Sequence, residues 1–182
     1  MKGKGPVVLI AFTLIVAITV GFISFLPKTL VIESEVKINA SAGEIRSFLA
    51  YPKNWDLWFF LPEDQDRKYM TMGAERGVGA GLKWFSEKEG DGALEIKYIE
   101  KEKINYDLIS DNNQFRSKGG FSMVEDRDTM LVTWNDTLDV STSIVARWAA
   151  RDSSFALQLA KNNTEILERL RTAIHAEYRR SN

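Results

Sequence analysis

The groups that could do chemistry are few. Among 182 residues there is one histidine, His175, and no cysteine. Disulfides, thiolate metal sites and a cysteine nucleophile are therefore excluded, and so are multi-histidine metal centres. A Ser-His-Asp triad would have to use His175. That residue falls near the end of a helical run among Arg169, Arg171, Arg179 and Arg180, where cationic groups suit the helix dipole, and it reads as a surface histidine. Gly77, Gly79 and Gly81 are spaced like a phosphate loop. No Lys-Ser/Thr follows them, however, and the next segment reads as a strand and not as the helix whose N-terminus holds a phosphate, so they read as hairpin glycines. Glu33, Glu35 and Glu95 fall on the outward phase of alternating runs and read as a solvated face. No metal ligands and no cofactor are expected. Lys+Arg is 24 and Asp+Glu 25, for a net charge of −1, which argues against a nucleic-acid binder relying on bulk positive charge. What remains abundant is apolar: 45% hydrophobic and 11% aromatic residues, with five Trp.

The elements that must position these residues begin with Val7–Leu26, VVLIAFTLIVAITVGFISFL, which carries no charge. As a helix it would reach ~30 Å, the thickness of a bilayer's hydrocarbon core. The run is longer than the ~7–15 residues of a signal-peptide core, and bulky residues stand where a peptidase needs small ones. An uncleaved single-pass transmembrane anchor over residues 1–28 is favoured over a cleaved signal peptide. Lys2 and Lys4 against Lys28 put the N-terminus inside. The expected location is thus the cytoplasmic (inner) membrane, with the C-terminal domain, residues 29–182, on the periplasmic side. That domain holds 21 basic and 25 acidic side chains, and it is long enough to bury a real core.

After the anchor, Leu30, Ile32, Val36 and Ile38 alternate with Glu33, Glu35 and Lys37, which predicts a half-buried strand. Ser41-Ala42-Gly43-Glu44 is a capping box; Ile45, Phe48 and Leu49 follow at helical spacing, and Pro52 ends that helix. Trp55, Trp58, Phe59 and Phe60 cluster next. The middle reads as antiparallel strands: Tyr69–Ala74, Leu82–Phe85, the Leu94/Ile96/Tyr98 run, the Ile104/Tyr106/Leu108 run, then Phe121 and Met123 turning at Asp126-Arg127-Asp128 into Met130, Val132 and Trp134. From Ser154 to Tyr178 the period becomes helical, with Phe155, Leu159, Ile166, Leu167, Leu170 and Ile174 on one face and a Glu165/Arg169 pair on the other. Such a helix, ~37 Å long, crosses a whole sheet. Strand, short helices, hairpin strands and one long helix make an α+β fold with the helix laid on an antiparallel sheet.

An ordered set of segments, Phe25–Ser41, the helix GEIRSFLA, YPKNWDLW (Tyr51–Trp58), GVGAGLKW (Gly77–Trp84), the strand MLVTW (Met130–Trp134) and the terminal helix, resembles the START-like polyketide cyclase/dehydrase (SRPBCC) superfamily in its membrane-anchored bacterial form. The resemblance covers about residues 25–178. Where the family often continues with Ser-Pro-Trp after Asn-Trp-x-x-Trp, this chain has Phe59-Phe60-Leu61. The segment Val140-Ser141-Thr142-Ser143 is also more polar than its counterparts.

The resemblance implies a helix-grip (START/Bet v 1-like) fold, a curved antiparallel sheet wrapped on the long C-terminal helix, with an apolar cavity between them. Tyr98, Tyr106, Phe121 and Trp134 would then face inward toward Phe155 and Leu159, and Trp55 and Trp58 would gate the cavity. Each of these eight candidate ligand-binding residues has core packing as its alternative role. Tyr98 and Tyr106 could offer a hydroxyl to a ligand. The expected function is membrane-tethered binding of a hydrophobic small molecule or lipid. The alternative is a cyclase or dehydratase acting on such a molecule; binding is favoured because few titratable groups fall at inward positions, and no catalytic residue is assigned.

Overall fold

Alternation of apolar and polar side chains turns about a third of the chain into one sheet. A computed structural model describes residues 4–60, 62, 66–88, 90–110 and 115–180, with side chains described within 9–179. Seven strands, β1 (Thr29–Ile38), β2 (Lys68–Gly73), β3 (Ala80–Phe85), β4 (Gly92–Ile99), β5 (Lys103–Ser110), β6 (Phe115–Asp126) and β7 (Thr129–Asp139), pair antiparallel in the order β1-β7-β6-β5-β4-β3-β2. β1 exposes and buries its residues in strict alternation, as period two requires. The helices are α1 (Lys4–Ser24), α2 (Ala42–Leu49), α3 (Ile144–Ala149) and α4 (Ser153–Arg180), with a 3-10 turn at Pro52–Leu57.

The local expectations for the short helices hold. Ser41 Oγ accepts from the Glu44 amide at 3.3 Å, and the Glu44 carboxylate accepts from the Ser41 amide at 2.7 Å, closing the capping box. These bonds hold the Glu44 carboxyl below its ordinary value. The glycines form a hairpin: Gly77 and Gly79 have φ of 85° and 80°, and their amides donate to Ala50 and Ile96 carbonyls at 2.8 Å each. The hairpin is thereby tied to the end of α2 and to β4.

The membrane expectation is overturned. α1 forms where the apolar run predicts it, but among the described residues no helix is long and apolar enough to cross a membrane. The single-pass inner-membrane placement is corrected accordingly. The C-terminal end of α1 is instead clamped to the sheet domain. Arg147 of α3 is 8% exposed, and its guanidinium donates to the carbonyls of Ile23 and Leu26 at 2.7 Å and of Pro27 at 3.2 Å. Phe22 and Trp148 meet alongside, ring centroids 5.6 Å apart.

α4 lies against β1, where the Ser34 hydroxyl donates to the Ala160 carbonyl at 2.9 Å. The buried apolar residues divide into two clusters along this helix. The larger holds Val36, Ile38, α2, the aromatic cluster and Leu167, Leu170 and Ile174 of α4. The smaller holds Leu30, Ile32 and Val140, with Leu138, Ala156, Leu159 and Ala160 packed against it. Arg169, expected to pair with Glu165, turns toward the domain and donates Nε to the Trp58 carbonyl at 3.0 Å. His175 is half-buried, not a surface residue, and its Nε2 is enclosed without a hydrogen-bond partner.

Candidate functional site

Five of the eight sequence candidates come together. Trp55, Trp58, Tyr106, Phe121 and Trp134 are each 2% exposed or less. Trp55 meets Trp58 at 4.9 Å and Tyr106 at 5.4 Å, and Phe121 stacks on Trp134 at 5.6 Å between centroids. Phe59, Phe60 and Trp84 extend the cluster. Such aromatic contacts contribute ~0.5–1.5 kcal/mol each beyond their buried area. Trp55 Nε1 donates to the Leu49 carbonyl at 2.8 Å, so Trp55 packs the 3-10 turn onto α2 and stands deep in the core.

Three candidates lie elsewhere, each for a local reason. Tyr98 is 42% exposed. A register shift between Ile96 and Tyr98 pairs Tyr98 with Asn105 of the outward phase, because a bulge moves the following side chain to the other face. Phe155, at the start of α4, is 37% exposed. Leu159 packs with Leu30, Ile32 and Val140, not with the aromatics; the face of α4 that meets the rings starts later, at Leu167.

Between the two apolar clusters runs a layer of small and polar side chains. On β7 the inward phase goes from Val132 and Trp134 to Asp136 and then Leu138; on β1 it goes from Val36 to Ser34 and then Ile32. Register sets Asp136 opposite Ile32 on one side and Gly119 on the other, with Ser117 opposite Leu138. Gly119 in turn pairs with Tyr106 of β5. A Cβ at Gly119 would collide with the Tyr106 ring and hydroxyl, so the glycine is what lets that ring lie across β6. From α4, Asn163 stands between Ala160 of one cluster and Leu167 of the other.

The layer's polar atoms are poorly satisfied. Trp134 Nε1 donates to the Tyr106 hydroxyl at 2.7 Å. Asp136 Oδ1, Ser117 Oγ and Asn163 Nδ2 are buried with no hydrogen-bond partner of good geometry. Burial pushes the Asp136 carboxyl above its ordinary value, while the Ser117 hydroxyl and the Thr137 amide pull it back. Burial, and secondarily the Asp136 charge, pushes the Tyr106 phenol well up, against the Trp134 bond. The phenol is thus held protonated. Unpaired buried polar groups cost ~1–3 kcal/mol each, and native interiors rarely leave several in one place.

A groove of about 580 Å³ touches Leu108 and Ser117 and runs out past Arg116, Asp139 and Lys28. Another, of about 450 Å³, lies outside the aromatic cluster between Leu57 and Arg169, Ala173 and Glu177 of α4. Among the described residues no group of three or more His, Asp or Glu is placed to hold a metal ion. Ser117, Asp136 and Asn163 were invisible as site residues because each sits singly in a polar stretch. The signal was there for Asp136: it continues the inward phase of Met130, Val132 and Trp134, where a carboxylate is out of place.

No protein-family model matches the chain, and no curated protein matches it by sequence. Solved structures do. TTHA0849 from Thermus thermophilus is similar with a TM-score of 0.59 at 14% identity, over 81% of this chain and 98% of that one. Norcoclaurine synthase from Thalictrum flavum gives 0.56 at 18% identity, over 80% of this chain and 91% of the synthase. DynU16, from the dynemicin biosynthetic locus, gives 0.54 at 13% identity, and the chain spans only 47% of that protein. At these identities the likeness shows the fold, the helix-grip arrangement of sheet and long terminal helix.

Proposed function

We propose that this chain binds a hydrophobic small molecule between its sheet and α4. The observation that carries the reading is the break in the core: two apolar clusters parted by Ser34, Ser117, Gly119, Asp136 and Asn163. An interior that served packing alone would fill those positions with branched apolar residues. Here the side chains are small or polar, the Tyr106 and Trp134 rings lie beside them, and a few polar atoms stand ready to orient a guest, which is the composition of a small-molecule site. The structural neighbour norcoclaurine synthase has also been solved in complex with dopamine and hydroxybenzaldehyde.

Native mass spectrometry of the full chain, followed by titration with a hydrophobic fluorophore, tests this reading. The wild type is expected to retain a small-molecule mass or bind the fluorophore. Ser117→Leu is expected to fill the layer and abolish binding without lowering the unfolding midpoint. Fluorophore binding that is absent in the wild type, or unchanged in Ser117→Leu, overturns the proposal.

A second reading, a cyclase- or dehydratase-type enzyme, draws on one observation: the Asp136 charge lies close enough to the Tyr106 phenol to help raise it. A carboxylate acceptor beside a phenol donor is an acid–base pair. Turnover of a bound molecule that Tyr106→Phe abolishes without loss of affinity would favour it.

A further inference from the structure

The proposed guest is of unspecified polarity, and the layer narrows it. We infer that the site selects an apolar ligand with a hydrogen-bond-donating head, a hydroxyl or an amine, which Asp136 and Ser117 receive, and that it rejects an anionic head. This rests on the binding reading above.

Geometry gives the selection. Asp136 Oδ1 and Ser117 Oγ, on neighbouring inward pairs of β6 and β7, have no hydrogen-bond partner of good geometry, although the Ser117 hydroxyl lies close enough to the carboxyl to act on it. Both belong to the inward phase of their strands, the face of the sheet that carries α4. An ionised carboxyl can only accept, and a hydroxyl can accept while donating to the carboxyl. The pair therefore lacks a donor, which an alcohol or amine head supplies. Asn163 Nδ2, the free donor on the α4 side, suits the lone pair of an alcohol oxygen. None of Tyr106, Ser117, Ile32 and Gly119 is cationic; the cations Lys28, Arg116 and Lys118 line the groove that touches Ser117, and none acts on the Asp136 carboxyl. A carboxylate ligand would set two like charges together in a low-dielectric interior with no counter-ion, which drives one of them to protonate or leave. An ammonium there supplies the missing counter-charge. Tyr106 accepts from Trp134 at its hydroxyl oxygen and makes no hydrogen bond to Asp136, so the carboxyl oxygen stays open to a ligand.

The test uses the full chain and four probes that share one apolar body: methylnaphthalene, naphthalenemethanol, naphthylmethylamine and naphthoate, measured by calorimetry or by Trp fluorescence quenching. The alcohol and the amine are expected to bind about tenfold or more tighter than methylnaphthalene and naphthoate. Asp136→Asn keeps the shape and removes the charge; it is expected to weaken the amine about tenfold or more and to narrow its advantage over naphthoate. Equal binding of all four probes, or amine affinity unchanged in Asp136→Asn, overturns the head-group inference and leaves the binding reading standing. If none of the four binds, both fall. Should Asp136→Asn fail to fold, Ser117→Ala replaces it, with the same expected loss of preference for donor heads.

Discussion

The two halves of the helix–sheet interface are built differently. In one, Trp55, Trp58, Phe121 and Trp134 meet Leu167, Leu170 and Ile174 with almost no exposed surface. In the other, Leu30, Ile32 and Val140 meet short side chains, Ala156 and Ala160, and a half-buried Leu159. The first half is a packed core in which each ring has several ring neighbours. The second is thin, and the polar layer at its border leaves hydrogen-bonding capacity unused. The packed core and the proposed binding layer therefore fall on different stretches of the same helix.

The sharpest way to break this contrast is to truncate one residue in each half. Trp55→Ala removes a fully buried ring and its bond to Leu49, so it is expected to cost about 3–5 kcal/mol. Leu159→Ala, half-buried, is expected to cost about 1–2 kcal/mol, under the range for full burial. Urea unfolding measures both, and equal losses would erase the distinction.

A smaller effect is expected where the halves meet. Gly119→Ala forces the Tyr106 ring off β6, with a loss of about 1–3 kcal/mol from overpacking. Breaking the Trp134–Tyr106 bond should also shift the Trp emission. Unchanged emission at full stability would mean that the ring does not depend on the glycine.

The smallest effect is one of pH. A carboxyl raised on folding contributes stability that is present below its unfolded value and lost as pH rises through its folded value. The raised Asp136 thus destabilises the wild type as pH rises through that window. Asp136→Asn lacks this loss, so its melting temperature should gain on the wild type as pH rises above the ordinary carboxyl range. The carboxyls held low by neighbouring amides and hydroxyls, Glu44, Asp139 and Asp152, are common to both proteins and cancel. Parallel melting curves would show that Asp136 is solvated.

Legibility followed range. The β1 alternation, the capping box before α2, the glycine hairpin and the α4 stripe from Leu167 onward each depend on residues within one or two turns of chain, and each is found where the pattern puts it. Trp55, Trp58, Tyr106, Phe121 and Trp134 were legible as inward because period two carries them to one face. Tyr98 was misplaced because a one-residue bulge reverses phase without any mark in composition. Phe155 was misplaced because an apolar stripe says which face of a helix is buried, not where along its length the partner begins. The membrane-spanning reading of Val7–Leu26 rested on hydropathy alone, and the buried contacts of Arg147 with Ile23, Leu26 and Pro27 had no local signal.

Residue order alone was enough for the α+β class, the element sequence and an inward aromatic set, since backbone periodicity and capping are local physics. Only the assembled sheet brought Asp136 opposite Gly119 and Ile32, with Ser117 on the neighbouring pair, from three strands far apart in the chain. Strand register and the docking of α4 depend on long-range pairing, and no short window of sequence encodes which polar atoms that pairing leaves without partners.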